Sequence, residues 1–198
     1  MTEHRHDGHE HGHEGHSHGH STQVAGVQGS DLIISAGIIT VSDKGSRGER
    51  IDLGGPAIRE MMLAAGAAIG DYVIVPDEPD QISGHIRRMA DERRLDVVLT
   101  TGGTGLAARD VTPQATLACL DYEVPGIPEA MRAASLAKTP AAMTSRAVAG
   151  VRGKTLIINL PGSPKGVREC LEVVLPALSH AVGLLRGETG DHQRPAPR

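Results

Sequence analysis

The sequence contains no phenylalanine and no tryptophan, and Tyr72 and Tyr122 are the only tyrosines among its 198 residues. That shortage excludes the aromatic platforms on which single-stranded nucleic acids stack, and it leaves Ala, Val, Ile, Leu and Met to build any core. Cysteine is equally scarce. Cys119 and Cys170 are far apart and match no zinc or redox spacing, so they read as free thiols of a reducing compartment, filling core space on helices. No apolar run approaches the ~18 residues of a membrane span, and the N-terminus has no apolar stretch of the secretory kind. An excess of basic charge is missing too, since the formal net charge is -4. The expectation is a cytoplasmic protein that binds neither nucleic acid nor membrane.

Histidine is abundant, but in one place. Eight of the 11 histidines are His4, His6, His9, His11, His13, His16, His18 and His20. The same stretch carries Arg5 against Glu3, Asp7, Glu10 and Glu14, which accounts for three of the four net negative charges and leaves the remaining body nearly neutral. Residues 1–30 have no apolar periodicity and cannot offset the entropy of ordering, so a disordered tail is expected there. Residues 31–187 form one domain, on a prior of ~100 to 200 residues per domain, and residues 188–198 a flexible C-terminal tail. Neutral imidazoles suit zinc, nickel and copper, and the irregular spacing is unlike a purification tag, so the tail reads as a natural metal-binding appendage.

From Leu32 the chain alternates strand-like and helix-like segments, the pattern of a layered α/β fold with a mostly parallel sheet. Strands are expected at Leu32 to Val41, Tyr72 to Val75 and Asp96 to Thr100. Helices follow each of them, marked by Ile58, Met61, Met62 and Ala65, by Ile82, Ile86, Met89 and Ala90, and by an entry at Thr112-Pro113 with Thr112 as N-cap. A further helix is expected from Pro128 to about Ala137. Ala147 to Val151 and Thr155 to Leu160, joined by Arg152-Gly153-Lys154, read as a hairpin, which makes the sheet mixed. Ser163 then caps a long helix whose stripe is Val167, Leu171, Val174, Leu178, Val182 and Leu185.

Ligands of such sheets bind outside the carboxyl ends of the strands. Four connections there are polar or glycine-rich: Ser42 to Gly54, Pro76 to Asp80, Thr100 to Thr112, and Pro161 to Lys165. The sharpest signal is Thr100-Thr101-Gly102-Gly103-Thr104-Gly105, where three glycines let amides approach an anion and the threonines add hydroxyls, a phosphate cradle. Gly103, Gly105 and Ala108 satisfy the dinucleotide pattern formally, but the helix opens only at Thr112, so that reading is rejected. Gly153-Lys154-Thr155 imitates the end of a P-loop, yet position 148 is Val and not the required Gly.

Asp43, Asp52, Asp77 and Asp110 sit in or beside the four connections, and carboxylates next to a phosphate cradle are what magnesium takes. Asp52 is best explained as a turn or cap residue. Ser163, flanked by Gly162 and Lys165, is either a plain helix cap or an anion site at a helix start. Lys44, Arg47 and Arg109 are candidates for neutralising phosphate, whereas His85 and His180 have no partner at metal spacing. The residues alone therefore point to a phosphate-rich ligand, a nucleotide with magnesium, at the strand ends of an α/β domain.

The run TTGGTGLAARDVTPQAT at Thr100 to Thr116, LPGSPKG at Leu160 to Gly166, TVSDKG near the start and VPDE at Val75 to Glu78 resemble the molybdopterin-binding MogA/MoaB family. RGKTLIINLPGS extends the likeness to the G domain of gephyrin. The resemblance covers about residues 32–187. It implies a three-layer α/β/α sandwich with a mostly parallel mixed sheet, commonly trimeric, and ATP-dependent adenylylation of molybdopterin with release of pyrophosphate. It makes Asp77 and Asp110 the functional aspartates for magnesium and phosphate positioning. It assigns Thr101, Gly102, Gly103, Thr104 and Gly105 to the nucleotide, and Ser42, Asp43, Gly162, Ser163 and Lys165 to the pterin phosphate region. A molybdenum-insertion protein is the implied partner. The alternative is a non-catalytic oligomeric pterin-binding or scaffold protein of the MoaB type.

Overall fold

Large apolar side chains on both faces of the β-prone runs demand a sheet covered on both sides. In the computed structural model, which describes Met1 and residues 33–188, this is what forms. The strands are β1 (Ser35–Val41), β2 (Ala68–Val75), β3 (Val97–Thr101), β4 (Tyr122–Glu123), β5 (Ala149–Arg152) and β6 (Thr155–Leu160), ordered β2-β1-β3-β6-β5-β4. Strands β2, β1, β3 and β6 run parallel, while β5 and β4 pair antiparallel to close the mixed sheet. The histidine-rich tail, and the C-terminal tail beyond Glu188, fall outside the described residues.

The helices are α1 (Asp43–Ser46), α2 (Gly54–Ala64), α3 (Pro79–Arg87), α4 (Thr112–Leu117), α5 (Gly126–Leu136) and α6 (Pro164–Arg186). Two cores separate them into layers. Ala36, Ile38, Val97, Leu99, Leu156 and Ile158 meet Ile58, Met62, Met131, Leu171 and Leu178 of α2, α5 and α6. On the other face Ile39, Val41, Val98 and Ile157 meet Ile82, Ile86, Ala115 and Cys119 of α3 and α4. The three-layer expectation holds, and both cysteines are free and buried, one in each core. The α6 stripe holds as well: Val167, Leu171, Val174, Leu178 and Val182 are buried, each worth about 2 kcal/mol relative to exposure.

Local differences have physical reasons. Strand β2 begins at Ala68 rather than Tyr72, because an edge strand pairing along β1 tolerates the Gly70-Asp71 interruption that masks it in sequence. Strand β4 has no signature in the sequence; it is two residues long and exists only by pairing with β5. Thr112 is not the N-cap of α4, which is Val111. Its hydroxyl donates instead to the Gly102 carbonyl at 2.9 Å, a bond across the loop that no local pattern encodes. The helix expected from Pro128 starts two residues earlier, at Gly126.

At the edge of the sheet remote from the four polar connections, Asp96 ties three elements. Its carboxylate accepts from the Ser35 backbone N–H and hydroxyl at 2.7 and 2.6 Å, and from Arg186 Nε and Nη2 at 2.8 and 2.7 Å. Burial alone would raise the Asp96 pKa, but the Arg186 and Ser35 hydrogen bonds outweigh it and hold the carboxyl below its ordinary value. A depressed carboxyl contributes stability that is present above its unfolded pKa of about 3.9 and lost as pH falls through the folded value. Asp96→Asn should therefore destabilise by about 2 kcal/mol at neutral pH. The difference from wild type should shrink in urea titrations carried out below pH ~4, and a difference independent of pH would contradict the assignment.

Candidate functional site

Parallel pairing places the carboxyl ends of β1, β2, β3 and β6 on one edge, so the connections after them converge. They enclose a cavity of about 520 Å³ lined by Ser42, Asp52, Asp77, Thr101, Gly102, Gly103, Gly162 and Ser163. A second cavity of about 450 Å³ lies on the far side of the glycine loop, lined by Thr104, Gly105, Lys138, Thr139, Ser163, Lys165 and Glu169. Ser163 lines both, so the two adjoin there. The glycine loop is thus divided between two cavities rather than forming a single cradle. Asp43 and Asp110 line neither and join the site through hydrogen bonds.

The glycines are required by contact. Gly102 has φ +99°, and a Cβ there would lie 2.3 Å from the Val41 carbonyl oxygen. Gly103 has φ +63°, with a Cβ position 2.4 Å from Thr112 Oγ1 and 3.2 Å from Asp77 Oδ1. Only glycine lets the backbone of this loop lie against β1 and against the Asp77 carboxylate. Beneath it, buried Asn159 donates through Nδ2 to Thr100 Oγ1 and Thr116 Oγ1, both at 2.9 Å. Arg146 fastens the outer half of the loop by donating from Nε to the Gly105 carbonyl at 2.6 Å and from Nη2 to the Asp110 carbonyl.

Not every candidate hydroxyl is free to serve a ligand. Thr101 Oγ1 donates to the Pro161 carbonyl at 2.7 Å, which spends its proton on tying β3 to the β6 connection. Ser42 and Ser163 accept from the Gly45 and Gly166 N–H groups at 3.0 and 3.1 Å. Acceptance leaves their own O–H protons for a ligand. The N-cap expected at Ser163 is therefore present and lines both cavities.

The carboxylates divide into satisfied and unsatisfied. Asp52 Oδ1 accepts from the Gly54 and Gly55 N–H groups at 2.9 and 3.1 Å, and Oδ2 accepts from Thr40 Oγ1 at 2.7 Å and from the Tyr72 hydroxyl. Four donors make it a structural cap at the start of α2, as its sequence position implied, and burial together with the Asp52 hydrogen bond pushes Tyr72 up to about 12. Asp77 differs. Burial raises its pKa, the Asp43 N–H and the positive charge of Arg109 oppose this, and the negative charges of Asp43 and Asp110 add to the rise. Its Oδ2 accepts the Asp43 N–H at 2.8 Å. Asp110 Oδ2 accepts the Ala107 N–H at 2.8 Å.

Of the three candidate cations, Arg47 pairs with Glu49 at 2.8 Å and Arg109 with Asp43 and Glu78. His85 is half-buried with Nδ1 unpartnered, and His180 is exposed. Arg146, Asn159 and Tyr72 are the participants that sequence reasoning missed. Each acts on a segment 20 or more residues away; Asn159 stands within RGKTLIINLPGS, but nothing in that run marks its side chain as the tie beneath the loop.

Fold and site define an α/β protein with two adjoining cavities at the strand ends, separated by a glycine-rich loop. The family model described as a probable molybdopterin binding domain matches residues 37–180, and the chain belongs to that family. It is similar to the molybdopterin adenylyltransferase of Helicobacter pylori J99, 46% identical over 156 residues that cover 78% of this chain and 89% of that protein. The Escherichia coli K12 molybdopterin adenylyltransferase is 43% identical over 148 residues, covering 74% and 76% of the two chains. Among solved structures, the molybdopterin biosynthesis enzyme MoaB of Thermus thermophilus superimposes with a TM-score of 0.75 at 57% identity, covering 78% of this chain and 98% of that one. The Mog protein of Mycobacterium ulcerans gives 0.73 at 37% identity, covering 79% and 99%.

The loop geometry yields a stability test. Gly102→Ala should cost about 2 kcal/mol or more, since it combines a left-handed backbone with a clash against a carbonyl. Gly84→Ala, in α3 with nothing within 4 Å of the new Cβ, should be neutral or stabilising by up to ~1 kcal/mol. Urea unfolding of both variants checks the pair, and equal effects would refute the close-approach argument.

Proposed function

We propose that this protein transfers an adenylyl group from ATP to molybdopterin in molybdenum cofactor biosynthesis, giving adenylyl-molybdopterin and pyrophosphate. The observation that carries this reading is the pair of cavities adjoining at Ser163, with the glycine loop between them. Two substrates need two sites whose phosphates can meet. The step joins an oxygen of the pterin's phosphate to the α-phosphorus of ATP and breaks the α-phosphorus bond to the departing pyrophosphate. It brings anions together, so the protein's part is positioning and charge neutralisation, with no covalent nucleophile.

The roles proposed are those that the family resemblance implies. Amides of Thr101, Gly102, Gly103, Thr104 and Gly105 hold nucleotide phosphate oxygens. The hydroxyls of Ser42 and Ser163, the Gly162 backbone, Lys165 and the Asp43 region orient the pterin phosphate. Asp77 and Asp110 are the catalytic carboxylates. Each has one oxygen engaged by a backbone N–H, which leaves the other for Mg2+. Among the described residues no group of three or more His, Cys, Asp or Glu is arranged to hold a metal alone. A pair of carboxylates completed by substrate phosphates is the set magnesium ordinarily takes. When bound, the ion would supply charge neutralisation at the phosphates.

The same reading includes a homotrimer, supported by an apolar groove between α5 and α6 lined by Ile127, Ala130, Val173 and Ala177, and handover of the product to a molybdenum-insertion protein. A cytoplasmic location is supported by two free cysteines. No described helix is long and apolar enough to cross a membrane. The eight tail histidines are proposed to bind Zn2+, Ni2+ or Cu ions, independently of the domain, on the strength of imidazole chemistry and spacing.

Incubation with molybdopterin, ATP and Mg2+, followed by detection of adenylylated pterin, tests the central claim. Absence of product with authentic pterin would favour the non-catalytic pterin-binding scaffold. Asp110→Asn should keep the fold and pterin binding while losing about 10²-fold or more of turnover; unchanged turnover would remove Asp110 from the reaction. For the tail, calorimetry with Zn2+ or Ni2+ should show binding to the full chain and none to a chain starting at Asp31. Retained binding would sink the tail assignment.

A further inference from the structure

Arg109, directly before Asp110, turns its guanidinium to neither cavity. Nη2 contacts both carboxylate oxygens of Asp43 at 2.8 and 3.0 Å, Nε reaches Asp43 Oδ2 at 3.1 Å, and Nη1 donates to Glu78 Oε1 at 2.9 Å. A planar fork of donors suits this double grip, which the single point charge of a lysine cannot reproduce. Asp43 passes the constraint on. Its Oδ1 accepts the Asp77 N–H at 3.1 Å, and its own N–H donates to Asp77 Oδ2 at 2.8 Å.

The connections after β1, β2 and β3 are thereby tied into one ring. Asp43, Asp77 and Glu78 bring three negative charges together, and Arg109 is the cation that contacts two of them. Only Asp77 of this ring lines the larger cavity, where its Oδ1 lies against Gly103. The ring fixes where the free oxygen of Asp77 stands. Without the guanidinium, Asp43 and Glu78 would repel Asp77 and each other, and the reciprocal pair between Asp43 and Asp77 would lose its anchor.

We propose that Arg109 is the positioning residue for Asp77: acting through Asp43, it holds the Asp77 carboxylate ready for the divalent cation that accompanies a nucleoside triphosphate. This rests on the reading of Asp77 as a magnesium ligand. It differs from a phosphate-gripping role, because the Nε and both Nη groups already engage protein carboxylates.

The two roles separate in a magnesium titration. Binding of the α,β-methylene analogue of ATP is measured by calorimetry at graded Mg2+, alongside turnover, for wild type, Arg109→Met, Arg109→Lys and Asp77→Asn. Arg109→Met should shift the Mg2+ concentration for half-maximal analogue binding upward about 10-fold, with kcat at saturating Mg2+ falling less than about threefold. A tenfold shift corresponds to about 1.36 kcal/mol at 25 °C. Arg109→Lys should recover only part of the shift. Asp43→Ala combined with Arg109→Met should be no worse than the larger single effect, because both act along one chain of contacts. An unchanged Mg2+ dependence with a raised KM for ATP at every Mg2+ level would overturn the proposal in favour of direct phosphate contact. A normal Mg2+ response in Asp77→Asn would instead overturn the metal assignment beneath it. An abnormal response there, with a normal one in Arg109→Met, would overturn the role of Arg109 alone.

Discussion

The site depends on one close approach of backbone to backbone. Gly102 lies against the Val41 carbonyl and within 3.3 Å, measured from its Cα, of where a Cβ at Gly162 would stand. That contact brings the ends of β1, β3 and β6 together, and two cavities form on either side because the loop passes between them. The Thr101 hydroxyl and the Thr112 hydroxyl then lock it from opposite ends, one to Pro161 and one to Gly102. A side chain at position 102 would separate these strands' ends and leave both hydroxyls without their acceptors. The glycines serve packing of the loop before they serve any ligand.

Rigidity underneath is supplied by polar groups where the rest of the layer is apolar. Thr100, Thr116 and Asn159 are fully buried and satisfy one another, so the floor of the site is a closed hydrogen-bond network rather than interchangeable methyl groups. Satisfied networks specify one geometry, whereas an Ala, Val, Ile and Leu core with no large ring tolerates several packings. In a protein without Phe or Trp, this network does the specifying that an aromatic anchor performs elsewhere.

How much can be read from the sequence follows from the range of each interaction. The layers are legible because period-2 and period-3.6 patterns are local, and the Ser163 cap and the hairpin turn at Gly153 are local too. The glycine loop announces itself through an excess of glycine that no plain turn needs. Thr112 misleads because its position before Pro113 satisfies the local rule for a cap, while its bond to Gly102 depends on a loop ten residues away. Arg146 and Asn159 are invisible for the same reason, as is the division of Thr101 to Gly105 between two cavities. Asp77 and Asp110 stand apart from Asp52 in the sequence because neighbouring residues already supply their turns. The hydrogen bonds add what spacing cannot: Asp52 has four donors.

That difference bears on the electrostatics of the whole edge. Asp77 lines the larger cavity while Asp43, Glu78 and Asp110 stand beside it in the adjoining connections, and such a set would by itself repel a phosphate ligand. The Asp52 charge is satisfied by four hydrogen-bond donors, and the single positive charge of Arg109 is shared between Asp43 and Glu78. Asp77 is left partly buried, raised in pKa and facing the cavity. An exposed carboxylate in this setting could simply be solvated, but burial makes its charge costly without a partner. A phosphate cannot be that partner, and Arg109 is already engaged by Asp43 and Glu78. The proposed Mg2+ would resolve that cost as a cation shared between Asp77 and the incoming phosphates, with protein and substrate each completing the other's charge balance.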